Sequence, residues 1–282
     1  YLQGKSLGDA GLLATVDEDV LPANLHNLVL DRFDLLDAGA RSLLQTAAVI
    51  GRKFSSSLAE RVVRLEDELG PNLAELERQE LVFPIQDPFA DYAFKHALVQ
   101  DAIYDTLMTS QKSEMHAAVG EALEQVYVGR LEEIAEVLAH HFELSDRREK
   151  AIRYLTMAGH KSLQVFSLEE ADRRFARAVE LIESGESEGT DDNIAVILAS
   201  WSETLFWRSE FARTVEVVHP RLSAIEDAGS IPQASWTLSW LGYAYVIMGR
   251  GEEADRYLQQ ALSIAEACSD EEAAAQSCIG LM

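Results

Sequence analysis

Apolar residues recur every three or four positions along most of the chain, and this spacing is typical of amphipathic helices. It predicts one helix that begins near Pro22, a second over about residues 38–50 that Gly51 closes, and a third after the serines at 55–57. A fourth helix is predicted to open at Pro71, because proline is favoured in the first turn of a helix. Residues 82–85 and 92–94 then predict two short β-strands.

Three helices followed by a β-hairpin is the element order of a winged helix, but from about His96 onward the pattern indicates helices alone. They are predicted at residues 97–108, 113–127, 131–144, 148–166, 168–184, 193–208, 211–227, 233–248 and 251–268. The breaks between them are short and polar, as expected for antiparallel helix pairs. The predicted fold class is mainly α, with a short winged-helix-like domain that contains a small β-hairpin, followed by an array of helix pairs.

Two windows of this array fit the tetratricopeptide repeat, a helix pair of about 34 residues. In the better window Gly242, Ala254 and Ala261 let the helix axes approach closely, while Tyr245 and Leu258 fill the space between them. The earlier window has small and large residues at the same offsets: Leu155, Ala158, Gly159, Ala171, Phe175 and Ala178. The array is therefore expected to be a tetratricopeptide-like α-α superhelix.

The helix pair between these windows departs from the pattern. Thr214 and Arg221 stand where small and apolar residues are expected, and Pro220 lies inside the second helix. We expect three or four repeat units in residues 111–282. Another first helix begins at Asp270 and stops, so the array is expected to be truncated at its C-terminal end.

Composition and charge narrow the function classes. The chain has 282 residues, of which 48% are hydrophobic and 26% charged, which excludes disordered and disulfide-rich proteins. Its formal net charge of −24 repels nucleic-acid phosphates and anionic membranes, so neither is expected as a partner. No apolar run approaches the ~20 residues that span a bilayer. Cys268 and Cys278 show no disulfide or metal-site spacing, which favours a reducing cytoplasm.

Two motifs resemble ligand-binding sites without the context that such sites need. The triplet Gly4-Lys5-Ser6 matches the end of a phosphate-binding loop, but the glycines after it would interrupt the helix that must follow. Adjacent histidines such as His140 and His141 point about 100° apart on a helix, so we expect one in an interface and the other in solvent. We predict no catalytic centre, no metal site and no cofactor in this part of the protein.

The predicted third helix of the winged helix, residues 72–80, would be its DNA-reading element. It carries Glu75, Glu77 and Glu80 against a single cation, Arg78. Because contact with phosphate would then be repulsive, we favour a role in protein contact or internal regulation over DNA binding.

The predicted array also carries a candidate partner site. Five apolar or aromatic residues occupy offsets that face the concave surface of such repeats: Val196, Phe206, Trp207, Trp236 and Tyr243. Aromatic residues in a groove are suited to holding a peptide or a partner helix. Packing between neighbouring repeats is the alternative interpretation of the same residues.

Several segments together resemble a known family. Residues 21–36 (LPANL to RFDLL) and 43–54 (LLQTAAVIGRKF) resemble the region after the ATPase core of bacterial STAND-type signalling ATPases. Residues 94–104 are similar to their F-x-H-A-L-x-Q-x-x-x-Y segment, and residues 139–142 with 150–159 are similar to their entry into repeats. The likeness is greatest to members fused to adenylate or guanylate cyclase domains, with MalT-like transcriptional regulators as relatives.

The resemblance implies an ATP-binding P-loop domain upstream, which would hold ATP or ADP with Mg. Residues 1–37 would then be a remnant of the ATPase lid or linker, residues 38–110 the winged-helix-like domain, and residues 111–282 the repeats. By the same likeness, His96 would contact the nucleotide phosphates in the closed state, and Arg32 would be a weaker candidate for sensing the terminal phosphate. Neither forms a site without the ATPase domain.

The function expected from the sequence is a non-catalytic, cytoplasmic regulatory region. Its repeats would bind a protein or peptide, and its winged helix would couple this binding to the ATPase domain of the same protein, which would control a nucleotide cyclase. The alternative is the regulatory region of a MalT-like transcriptional activator, with a DNA-binding domain beyond Met282. The sequence leaves homo-oligomerisation open.

Overall fold

The structure, a computed structural model, describes residues 20–63, 69–185, 190–227 and 231–281. These residues fall into two units, divided between Met115 and His116. Both units are mainly helical, as expected, and the first also contains a small sheet. Among the described helices, none combines the length and the apolar character that crossing a membrane requires.

The first unit begins with helices whose ends follow from local chemistry. They are α1 (Val20–Asp34), α2 (Ala38–Ile50), α3 (Ser56–Val63), α4 (Leu69–Arg78) and α5 (Ala97–Asp105). The division between the units falls within the next helix, α6 (Thr109–Val126). The Asp37 side chain accepts the Ala40 amide at 2.8 Å and so caps α2. Gly51, at φ 144°, ends α2 in a backbone conformation that favours glycine. The predicted bounds of α2 are thus confirmed.

Three short antiparallel strands pack against these helices: β1 (Lys53–Phe54), β2 (Val82–Pro84) and β3 (Tyr92–Phe94). The order is β1-β3-β2, with Phe54 opposite Tyr92 and Phe83 opposite Ala93. The sequence predicted the β2–β3 hairpin but not β1, because two residues are too few to show an alternating pattern. The Phe54 ring stacks on Tyr92 at 5.9 Å and joins the sheet to the helical core.

The described part of the second unit consists of helices, which follow α6. They are α7 (Ala135–Glu143), α8 (Arg148–Gln164), α9 (Leu168–Glu183), α10 (Thr190–Trp207), α11 (Phe211–Val218), α12 (Leu222–Asp227), α13 (Pro232–Ile247), α14 (Gly251–Cys268) and α15 (Glu271–Leu281). The single helix predicted at 211–227 is wrong. It divides into α11 and α12 at a 3-10 turn, His219–Arg221, because Pro220 lacks the N–H that a continuous helix needs.

The turn after α8, α10 and α13 is the same each time. Phe166, Ser209 and Gly249 adopt positive φ values of 57°, 60° and 73°. In each turn the next residue donates its amide N–H to the carbonyl oxygen five positions back, at 2.8 to 2.9 Å. This hydrogen-bonded cap closes a helix and reverses the chain, so the three turns repeat one local structure.

Within the helix pairs, a glycine on the first helix lies under a large side chain of the second. A Cβ at Gly159 of α8 would lie 2.6 Å from the Phe175 ring of α9, and one at Gly242 of α13 would lie 2.6 Å from Leu258 of α14. Phe175 and Leu258 are fully buried. The close approach that the sequence predicted for these two pairs is therefore present.

The degenerate pair is attached by a buried carboxylate. Asp172 of α9, 5% exposed, accepts the Trp201 indole N–H of α10 at 2.8 Å and the Arg213 guanidinium of α11 at 2.7 Å. A buried charge is tolerated only when it is partnered in this way. Asp172 therefore fixes α9 against both helices of the next pair.

Replacing Gly159 with Ala is expected to lower the free energy of unfolding by about 1–3 kcal/mol, because the new methyl group overlaps the Phe175 ring. The matched control is Gly251→Ala at the start of α14, where nothing lies within 4 Å and no loss is expected. Urea unfolding followed by tryptophan fluorescence measures the second unit, since all 4 tryptophans lie there. Equal stability of the two variants would contradict the prediction.

Candidate functional site

A cavity of about 380 Å³ opens on one side of the second unit, between helices that each begin a pair. Its walls come from α8, α10, α13 and α15, and the lining residues are His160, Val196, Ala199, Ser200, Glu203, Gln233, Trp236, Trp240 and Glu272. Volumes of this size lie at the lower end of those of ligand pockets. We call this cavity the groove.

Helical spacing explains why α10 and α13 line the groove. The steps from Val196 to Ser200 and Glu203, and from Trp236 to Trp240, are three or four residues and place these side chains on one face of each helix. The opposite faces pack into the core. Helix α13 is apolar or small nearly all round, as expected for a helix with neighbours on several sides.

The five predicted partner residues lie in three different settings. Val196 and Trp236 line the groove. Phe206 and Tyr243 lie behind Trp240, with ring centroids 4.8 Å and 6.0 Å from its centroid.

The Tyr243 hydroxyl donates to the Gln276 carbonyl at 2.7 Å, and burial raises the Tyr243 pKa. Phe206 and Tyr243 thus stabilise the wall of the groove through packing between neighbouring pairs, the alternative that the sequence left open.

Trp207 lies at the end of α10 with 49% of its surface exposed. Its ring contacts Phe166 at 5.8 Å, and its indole N–H donates to Glu203 at 3.3 Å. Trp207 therefore orients a side chain of the groove without lining the groove itself.

Sequence reasoning missed Trp240, Glu203 and His160 as groove residues. The Trp240 side chain is four residues from Trp236, a spacing that would have identified it. His160 lies within the earlier repeat window, and its Nε2 is 3.0 Å from the Ser200 hydroxyl. Burial lowers the His160 pKa, so the imidazole is neutral at pH 7.

A second cavity of about 340 Å³ adjoins the groove and shares His160 with it. It is lined by Glu132, Arg153, Thr156, Met157, His160, Lys161 and Gln164. The groove and this second cavity thus meet at one side chain, and they differ in charge, because Arg153 and Lys161 lie only in the second.

The two residues predicted to contact nucleotide lie in the first unit. His96 is exposed at the position that precedes α5, and its side chain makes no capping hydrogen bond. Arg32 donates to the Gln79 carbonyl at 2.9 Å and lies 3.4 Å from the Glu80 carboxylate, which holds α1 against the end of α4. The Gly4-Lys5-Ser6 triplet lies outside the described residues.

The acidic residues of α4 and the turn after it are engaged by neighbours. Glu75 pairs with Arg78 at 2.6 Å, and this contact lowers the Glu75 pKa. The Tyr92 hydroxyl donates to Glu77 at 2.8 Å. The one cation of residues 72–80 is thus already paired, so this surface stays acidic.

The adjacent histidines of α7 divide as predicted, with His141 buried and His140 exposed. His141 Nδ1 lies 2.9 Å from His116 Nδ1 of α6, so one ring nitrogen donates a hydrogen bond to the other. Burial, with His116 and His140 nearby, lowers the His141 pKa to about 3. In the part of the chain that the structure describes, no group of three or more His, Cys, Asp or Glu residues is arranged to hold a metal ion.

A scan of protein-family models finds no match, and no curated protein matches the chain. Among solved structures the chain is similar to a STAND (signal transduction ATPase with numerous domains) protein with a tetratricopeptide repeat sensor, from Pyrococcus horikoshii. The identity is 13% and the TM-score 0.36. The match covers 91% of this chain and 48% of the other, so the chain spans about half of that protein's length. At that similarity, fold and function have to be argued from this chain's own residues.

The buried histidine pair predicts a pH-dependent stability. In the unfolded chain His141 has an ordinary pKa, so between about pH 6.5 and pH 3 it binds a proton that the folded side chain does not bind. The free energy of unfolding is therefore highest above about pH 6.5 and decreases toward pH 3. One such group contributes a slope of at most about 1.4 kcal/mol per pH unit. Urea unfolding between pH 6.5 and pH 5 measures it.

His141→Asn keeps a hydrogen-bonding side chain next to His116 but removes the titrating ring, so it is expected to flatten this slope. His140→Asn, on the exposed neighbour, is the control and should retain the slope. An identical dependence of the free energy of unfolding on pH in the native chain and in His141→Asn would contradict this explanation.

Proposed function

We propose that this chain is a non-catalytic regulatory region whose groove binds a peptide segment or a helix of a partner protein. The observation that carries the proposal is the groove itself, which four helices of successive pairs line together and in which two tryptophans stand side by side. Tryptophan is enriched among the residues that dominate binding energy at protein interfaces. Phe206 and Tyr243 hold this wall in place before any partner arrives.

We propose that the second unit is a tetratricopeptide-like array. Two helix pairs share a glycine under a large side chain sixteen residues later, and the turns after α8, α10 and α13 have one geometry. We propose likewise that residues 38–110 form a winged helix that contacts protein. Its support is the arrangement of α2, α3 and α4 with a three-stranded antiparallel sheet, together with the acidic α4.

We propose further that the chain is part of a STAND-type signalling ATPase. The support is the series of motifs at residues 21–36, 43–54 and 94–104. In this scheme a partner binds the groove more tightly in one conformational state of the whole protein, and thereby shifts the ATPase domain toward that state. The output would be a nucleotide cyclase, or DNA binding in a MalT-like activator.

Trp236→Ala is expected to weaken peptide binding at least tenfold, because a buried tryptophan at the centre of an interface contributes about 2 kcal/mol or more. Nine-residue peptides selected from a displayed library against the native chain serve as probes, and fluorescence anisotropy gives their Kd. Phe89→Ala, at an aromatic residue that is 73% exposed in the first unit, is the control. If the selected peptides bind Trp236→Ala and the native chain equally, the groove is not the peptide-binding site.

The nucleotide role of His96 is tested with a chain extended upstream through the expected P-loop domain. That longer protein should bind ADP, and His96→Ala should weaken the binding, since an imidazole N–H is a phosphate donor. The 282-residue chain alone should bind neither ATP nor ADP in calorimetric titration. Nucleotide binding or hydrolysis by the 282-residue chain would contradict the regulatory assignment.

A further inference from the structure

The groove combines an aromatic face with negative charge. Trp236, which is partly exposed, supplies the face, with the buried Trp240 beside it in the lining, and Glu203 of α10 and Glu272 of α15 supply carboxylates. His160 is the remaining titratable side chain of the lining, and burial keeps it neutral at pH 7. The groove therefore carries two negative charges and no positive one, within a chain whose net charge is −24.

Neither groove carboxylate is paired with a cation of the described residues. Among the described residues, Glu203 and Glu272 form no ion pair with Lys, Arg or His, whereas Glu170 on α9 pairs with Arg174 at 2.7 Å. Glu203 is held in place instead by the neutral indole N–H of Trp207 at 3.3 Å. An oriented carboxylate without a cationic partner, beside an aromatic face, favours a cationic ligand.

We propose that the occupant of the groove is a partner peptide that places an arginine side chain against Trp236 and the carboxylates of Glu203 and Glu272. This inference rests on the proposed peptide-binding function and names the chemistry of the partner.

Arginine fits both features at once. Its planar guanidinium stacks on a tryptophan face and donates paired hydrogen bonds to a carboxylate, whereas a lysine ammonium offers a point charge. A peptide is favoured over free arginine because a second cavity borders the groove at His160 and offers room for the chain on one side of the arginine.

The test uses four pools of fluorescein-labelled nine-residue peptides, with random flanking positions and a fixed central residue: arginine, lysine, citrulline or glutamate. Citrulline has the shape of arginine without its charge. The arginine pool is expected to bind the native chain at least about tenfold more tightly than the citrulline pool, since a hydrogen bond to a charged group contributes 1.5–3 kcal/mol and 1.4 kcal/mol is a factor of ten.

The double variant Glu203→Gln with Glu272→Gln should remove this preference for arginine over citrulline. The matched control is Glu271→Gln, which makes the same change of charge one residue from Glu272 on α15 but outside the groove lining, and it should retain the preference. Both substitutions replace side chains at or near the surface with isosteres, so folding is checked simply by circular dichroism.

The outcomes separate this inference from the function on which it rests. If the arginine and citrulline pools bind equally, and Trp236→Ala still weakens both, the groove binds peptides but the arginine inference is overturned. The inference also fails if the double Gln variant keeps the full preference, or if the lysine pool binds as tightly as the arginine pool. If no pool binds, and if the library-selected peptides bind Trp236→Ala as tightly as the native chain, the proposed function is wrong as well.

Discussion

The second unit depends on the close approach of paired helices at a glycine. At Gly159 and at Gly242 there is no room for a methyl group, because Phe175 and Leu258 occupy the space where it would lie. A third glycine, Gly120 of α6, lies in the same way under the Phe142 ring of α7. Side chains in protein interiors are packed as closely as in organic crystals, so such contacts fix the distance between helices. They thereby help to set where α8 and α13 stand, and with them two walls of the groove.

The degenerate pair shows what replaces this contact when it is missing. Ser202 stands where the other two pairs have glycine, and Val218 stands where they have Phe175 or Leu258. Both are fully buried, and no described group forms a hydrogen bond with the Ser202 hydroxyl. A smaller second-helix residue leaves room for the hydroxyl but gives less contact. Asp172 supplies the attachment instead, through directed hydrogen bonds to the indole of α10 and the guanidinium of α11.

Much of the fold could be predicted because its signals are local. The Asp37 cap and Gly51 fix the ends of α2 wherever the helix lies, and the glycine pattern marks two of the helix pairs. The residues that escaped prediction depend on tertiary contacts. In the turns after α8 and α10, Phe166 and Ser209 adopt the left-handed conformation although they are not glycine. Of these three turns, only the one at Gly249 could be predicted from the sequence.

The candidate site divides in the same way. Helical spacing placed Val196 and Trp236 on the groove, because it tells which face a residue occupies. Helical spacing does not show how much of that face the next helix pair covers. Phe206 and Tyr243 are covered by Trp240 and by α15, and Glu203 enters the groove lining with its carboxylate bonded to Trp207.

His160 is a wall of two cavities at once, and its imidazole is bonded to Ser200 on the neighbouring helix. A molecule in either cavity that turns this ring changes the shape of the other cavity. When occupants of the two cavities favour different positions of this ring, the two cavities are thermodynamically linked, and linkage is reciprocal. If an occupant of the first cavity changes the affinity of the second cavity for its ligand by some factor, an occupant of the second cavity changes the affinity of the first by the same factor. The two cavities on either side of His160 thus depend on the position of one imidazole ring.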